Sequence, residues 1–182
     1  PGMTVLAPGD AEEARKAVLA AAEMDGPVYI RFSRAATPVF TTSATPFQIG
    51  KAMQLWKSDS PKVAIFSTGS LSYSALVAAR ALFAEGIGSI VLHIPTVKPL
   101  DEEAVLLAAQ SAKYVITVEE HQSAGGFGSA IAEFLSEKHP VPIRRLGIDD
   151  QFGQSGSPEE LLTHYGLDAP HIAEAVRAFV RV

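Results

Sequence analysis

No cysteine occurs among the 182 residues, which excludes a disulfide scaffold, a thiolate metal site and a cysteine nucleophile together. The same absence fits a cytoplasmic setting. A basic surplus is missing too: 15 Lys and Arg stand against 20 Asp and Glu, a net charge of −5. With no excess positive charge to neutralise a phosphate backbone, a nucleic-acid partner is not expected. Long hydrophobic runs are also lacking. The longest uncharged apolar stretches, such as Val63–Phe66 and Ile90–Leu92, are strand-length and far short of a membrane span, so no membrane partner is expected. Pro1–Asp10 carries neither an initiator Met nor a signal-peptide pattern, so the chain is expected to be processed or cut from something longer. What is present is a composition of 47% apolar and 19% charged residues, rich enough to bury a core and unlike a disordered chain.

The apolar pattern divides the chain in two. Thr4–Ala7 reads as a short strand, and Asp10 with Glu13 reads as the N-cap and capping box of a helix, because a carboxylate accepts from the orphan amides of a first turn. Ala14, Ala17, Val18, Ala21 and Ala22 then recur at helical spacing until Gly26-Pro27, and Val28–Phe32 reads as a second strand. One strand–helix–strand unit cannot cover both faces of its own sheet, so the rest of its domain is expected upstream or in another chain. Residues 35–46, with threonines and Ser43 between Pro38 and Pro46, read as an extended linker, and Phe47–Trp56 as an edge strand. Strands at Val63–Ser67, Ile90–Ile94, Tyr114–Glu119 and Pro142–Leu146 then alternate with helices at Leu71–Phe83, Glu102–Ala109 and Gly128–Glu137. That alternation predicts an α/β fold with a doubly wound, mostly parallel sheet and right-handed crossovers. Ser157-Pro158-Glu159-Glu160 starts a further helix, and Ala169–Val180 makes a last amphipathic one.

The stretch richest in chemistry is Glu119-Glu120-His121-Gln122-Ser123-Ala124-Gly125-Gly126-Phe127-Gly128, which runs from the carboxyl end of a strand into a helix. Ligands bind at that edge of open α/β sheets, and a glycine-rich turn before a helix exposes amides that hold an anion. Gly125, Gly126 and Gly128 equally suit close helix–strand packing or a subunit contact, and both readings stand. Glu119 and His121, two apart on an extended segment, share a face and would suit an acid–base or metal pair if a third group joined them. None is visible. His93, His139, His164 and His171 read as solitary surface or capping histidines. Ser155 lacks the preceding strand of a nucleophile elbow and is set aside. Arg31 and Arg34 follow the second strand, where an arginine can clamp a phosphate bidentately or pair with a neighbouring acid.

Taken in order, these stretches resemble one family. Pro1–Pro8 with Asp10-Ala11 and Glu13, then Gly26–Arg31 with Arg34, are similar to the late part of the pyrimidine-binding domain of transketolases. Phe47-x-Ile49-Gly50-Lys51-Ala52, Thr96–Asp101, Thr117–His121, Gly125–Ala130 and Phe152–Gly156 are similar to marks of the transketolase C-terminal domain. The sister families, deoxyxylulose-phosphate synthase and the β chain of 2-oxo-acid dehydrogenases, share much of the pattern. A non-catalytic module using the 125–129 turn for an anion or a protein is the rival from another class. The resemblance implies residues 1–34 as the end of a pyrimidine-binding domain, 35–46 as a linker and 47–182 as the C-terminal domain. It also implies a thiamine-diphosphate- and Mg²⁺-dependent enzyme moving two-carbon ketol units between sugar phosphates, built as a homo-oligomer. The Gly-Asp-Gly motif that holds the metal and the glutamate that activates the cofactor are missing here. The chain alone is therefore expected to bind neither group, to contain no catalytic side chain, and to need an upstream N-terminal section as partner. Arg34 is the position where the resemblance places the arginine that binds the sugar phosphate; Arg31 has no such match and reads as structural.

Overall fold

Two sheets share one chain. The computed structural model describes residues 1–180; positions 181 and 182, which close the 47–182 segment, lie outside the described residues. The first unit comprises β1 (Thr4–Leu6), α1 (Ala11–Ala22) and β2 (Val28–Ile30), with β1 and β2 parallel. Asp10 caps α1, its Oδ1 accepting from the Glu13 N–H at 2.9 Å. The reciprocal half of the expected capping box does not form, because the Glu13 side chain turns away to accept from the Gly9 N–H at 2.6 Å.

The second sheet has the order β3-β5-β4-β7-β8, formed by β3 (Met53–Lys57), β4 (Val63–Ser67), β5 (Ser89–His93), β7 (Tyr114–Gln122) and β8 (Ile143–Ile148). Only β3 is antiparallel to its neighbour; β5, β4, β7 and β8 run parallel. The doubly wound arrangement expected from the sequence is present. Alternate residues of the strands feed two cores. Val63, Ile65, Val91, Ile116 and Val118 pack against α2 (Leu71–Ala84) and α6 (Ala169–Val180). Ala64, Phe66, Ile90, Leu92 and Val115 pack against α3 (Glu102–Gln110) and α4 (Phe127–Lys138). The short α5 (Pro158–His164) carries the capping box read from Ser157 and Glu160.

Three features depart from the sequence reading. The edge strand is Met53–Lys57, while the residues before it turn through Gly50, whose φ is 81°. Thr96–Lys98, given no strand in the sequence reading, forms β6 and pairs antiparallel with β1, so the first sheet is ordered β2-β1-β6. A three-residue strand is too short to show a period of two. The linker is not a free tether. Asp10 Oδ2 accepts from the N–H groups of Phe40 (2.8 Å) and Thr41 (2.6 Å), Thr41 Oγ1 donates to Oδ1, and Lys16 Nζ donates to the carbonyls of Thr42 and Thr45.

Burial pushes the Asp10 carboxyl up, but the hydrogen bonds from Glu13, Thr41 and Phe40 outweigh it and hold the group below its ordinary value of 3.8. A depressed carboxyl stabilises the fold above its unfolded pKa and loses that contribution as pH falls through the folded one. Asp10→Ala removes a helix cap and the strap's anchor together, and we expect a cost of about 2–4 kcal/mol at neutral pH. Thermal unfolding should show a fall in Tm of about 5–15 °C. The difference from wild type should shrink below the ordinary aspartate range.

Candidate functional site

Residues that could carry chemistry gather at the carboxyl ends of the parallel strands, but much of that edge is already filled. In the five-stranded sheet the order reverses at β4, with β5 on one side and β7 on the other, and sheets of this kind bind ligands in the crevice at such a point. Here the first unit sits over it. The Gly69 N–H donates to the Ala7 carbonyl at 3.1 Å, Arg31 lies 3.8 Å from Glu120, and Ser70 Oγ lies 3.4 Å from the same carboxylate. Arg31 thus takes the structural part read for it, as one half of an interunit ion pair.

The glycine-rich turn is also occupied, by an anion of the chain's own making. Glu119 is 1% exposed and accepts from the Phe127 and Gly128 N–H groups at 2.7 Å each. Its carboxylate therefore sits where a helix N-terminus would hold an external anion. Burial raises the Glu119 carboxyl above its ordinary value, against the pull of the two amides and of His121 and Arg145. Gly125 supplies the left-handed turn with φ 73°. Gly126, at φ −90°, is required for a different reason: a Cβ there would collide with Glu119 Oε2 and stand 2.5 Å from the Gln122 carbonyl. A Cβ on Gly128 would collide with Thr117 Oγ1 and lie 3.0 Å from Glu119 Oε1. Glu119 and His121, which their spacing put on one face, differ in burial. The pairing of β7 with β8 slips between Val118 and Gln122, and this bulge re-aims the side chains, so that Glu119 is buried and His121 exposed. No trio of His, Asp and Glu positioned for a metal ion occurs among the described residues.

Arg34 has a different setting. It is exposed, and no hydrogen bond or ion pair engages it among the described residues. Phe32, Ser33 and Ala35–Thr37 on either side of it, though not Arg34 itself, border a cavity of about 280 Å³ that Pro8–Ala11 and Ala14 also line. The cavity opens at the carboxyl ends of β1 and β2 and at the first turn of α1.

The sequence reading missed His93. Far from a surface residue, it is 0% exposed at the end of β5. Ser72 Oγ lies 2.6 Å from its Nδ1, and Glu13 Oε2 lies 2.7 Å from its Nε2. Because Glu13 Oε2 already accepts from the Gly9 N–H, the consistent assignment has Nε2–H donating to Glu13 and Nδ1 accepting from Ser72. Acid, imidazole and hydroxyl thus stand in the order of a hydrolase triad, yet Ser72 and Glu13 are 0% and 2% exposed. With no route for a substrate, the Ser72 hydroxyl is no nucleophile. Any sequence signal was faint: His93 interrupts an otherwise apolar strand.

Residues 50–172 match the family described as transketolase, C-terminal domain. The chain belongs to that family. It is 43% identical over 175 residues to a 6-deoxy-6-sulfo-D-fructose transketolase subunit from Clostridium sp. (strain MSTE9), covering 96% of this chain and 54% of that protein. It is 39% identical over 182 residues to one of the subunits of an apulose-4-phosphate transketolase from Phocaeicola vulgatus, covering 100% of this chain and 57% of that one. Among solved structures it resembles a split-gene transketolase described as an inactive β4 tetramer, at 40% identity and a TM-score of 0.93, across 100% of this chain and 59% of that chain. The chain therefore spans a little over half the length of the curated relatives it matches.

Gly126→Ala should destabilise the chain by about 1–3 kcal/mol through overpacking against Glu119. Glu119→Gln keeps the shape but turns a donor toward one of two helix N–H groups, and should cost a similar amount. Thermal unfolding of the two single variants and the double variant measures both the costs and their coupling. The losses should be less than additive, because both act on the same contact.

Proposed function

We propose that this chain is the C-terminal part of a cytoplasmic, thiamine-diphosphate-dependent transketolase that moves two-carbon ketol units between sugar phosphates. It works with an upstream N-terminal section, in an assembly holding more than one copy of each, and is inactive alone. Within it, residues 1–34 complete a pyrimidine-binding domain, 35–46 form the linker and 47–182 form the C-terminal domain. The observation that carries this reading is Arg34, a guanidinium unpaired among the described residues, whose sequence neighbours border a cavity at the carboxyl end of a parallel strand pair. Among the described residues that unit's sheet ends at β2, an open edge to which a strand of the upstream section can add.

The cofactor and its metal do not fit the residues present. The sequence has no Gly-Asp-Gly motif, and the acidic groups nearest the candidate turn are committed, Glu119 to two amides and Glu120 to Arg31. Both groups are therefore assigned to the upstream section. What this chain contributes is a substrate contact at Arg34 and a platform for assembly, with the 119–128 turn held rigid by its internal carboxylate as a candidate subunit contact.

A planar guanidinium pairs with two phosphate oxygens at once. In the enzyme reconstituted with its upstream section, Arg34→Ala should cost about 2–4 kcal/mol of substrate binding, roughly thirty- to several-hundred-fold. The phosphate lies far from the reacting carbonyl, so the loss should fall mainly on KM. Arg34→Lys should recover part of it, since an ammonium keeps the charge but not the fork. Steady-state kinetics on a phosphorylated ketose and its unphosphorylated analogue provide the check. Equal losses on both would assign Arg34 to the fold instead. Turnover by the chain without a partner would overturn the assignment of the cofactor to the upstream section.

A further inference from the structure

We propose that His93 is a positioning residue for the cavity beside Arg34, acting through Glu13 and Gly9 on the wall that Pro8–Ala11 form, across from the residues that flank the arginine in sequence. The role of that cleft as a sugar-phosphate site rests on the function proposed above. The chain of contacts is continuous and buried. Ser72 on α2 meets His93 Nδ1 at 2.6 Å, His93 Nε2 meets Glu13 Oε2 at 2.7 Å, and the same oxygen accepts from the Gly9 N–H at 2.6 Å. Gly9 and its neighbours Pro8, Asp10 and Ala11 are the cavity wall. From its other side Gly9 is pressed by Phe40: a Cβ on Gly9 would collide with that ring and stand 3.1 Å from His93 Cε1. The Phe40 and His93 rings meet edge to face at 5.5 Å between centroids.

Burying three polar side chains is costly unless each finds its partner. Here the partners of Ser72, His93 and Glu13 Oε2 come from both sides of the boundary between the first unit and the C-terminal domain, while Glu13 Oε1 is buried without a hydrogen-bond partner among the described residues, so these contacts form in one relative placement only. Apolar side chains at these sites would also fill the space, but they would tolerate sliding. The network therefore transmits the position of the five-stranded sheet, through β5, to the first turn of α1. His93 does not touch substrate; it sets where the wall stands.

The test uses the chain assembled with its upstream section and three variants, Ser72→Ala, His93→Gln and His93→Leu. Ser72→Ala removes only the distal link and is the mildest, so it keeps the test valid if His93→Leu does not assemble. Three readouts are taken: exchange of the Gly9 amide hydrogen, the Kd for inorganic phosphate followed by the NMR signals of Arg34, and steady-state kinetics. Ser72→Ala and His93→Gln should speed Gly9 exchange about tenfold while the amides of β4 keep their protection. They should weaken phosphate binding and raise KM for the phosphorylated sugar by about three- to thirtyfold, with kcat within about twofold. His93→Gln should be closer to wild type than His93→Leu, because its amide can still donate to Glu13. Faster Gly9 exchange with phosphate binding unchanged would mean the network only holds the fold, and would overturn the proposal. So would unchanged Gly9 exchange. An assembly with no ketol transfer, but with phosphate binding weakened in these variants, would overturn the enzymatic reading and leave the positioning role standing.

Discussion

The hydrogen bond between His93 Nε2 and Glu13 Oε2, 2.7 Å long and sealed from solvent, joins two units that otherwise meet along short segments. One end belongs to the last residue of a fully buried strand, the other to the first turn of a helix on a different sheet. With Glu13 Oε2 turned to this contact and to the Gly9 N–H, the side chain does not complete a capping box, and Asp10 caps α1. Asp10 in turn anchors the strap through Phe40 and Thr41. The helix start, the path of residues 35–46 and the seat of the first unit over the central sheet all follow from where this one carboxylate points.

Two electrostatic choices separate the inert part of the molecule from the part open to chemistry. At the β7–α4 turn the orphan amides of the helix are satisfied from within by Glu119, and the close glycines leave no room beyond that carboxylate. A site built to bind an external anion would keep such amides free. Past the end of β2 the opposite holds: Arg34 has no internal partner among the described residues, and its neighbours border a cavity. An unpaired, solvated guanidinium costs the fold little and remains available to a ligand, whereas Arg31, a few residues earlier, is spent on Glu120. One arginine is thus engaged inside the protein, and the other is left exposed.

The first unit borrows β6 from the C-terminal domain to protect one flank of β1, while β2 remains an edge with Tyr29 and Phe32 exposed beside it. An uncovered edge invites pairing with another chain. That arrangement agrees with relatives that are subunits of transketolases and extend well beyond the length of this chain.

Local pattern was enough to read most elements. Val63–Ser67 and Ile90–Ile94 read as mostly apolar runs with the length of buried strands, the second observed one residue earlier at Ser89–His93, the alternation with helices implies parallel crossovers, and Asp10 and Ser157 announce helix starts through contacts three residues away. Arg34 was legible as a candidate because the end of a parallel strand is a recognisable place. The rest depended on pairs distant along the chain. Glu13 and His93 are 80 positions apart, so nothing near His93 distinguishes a buried relay from a surface imidazole. Thr96–Lys98 is a strand only because β1 lies beside it, and Glu119 parts from His121 only because β8 pairs across a bulge. The sequence by itself determined most of the helices and strands, since periodicity and capping act within a few residues. Which polar groups are spent inside the protein, and which are left for a substrate, was decided by tertiary structure, because a hydrogen bond needs its partner within about 3 Å in space and not in sequence.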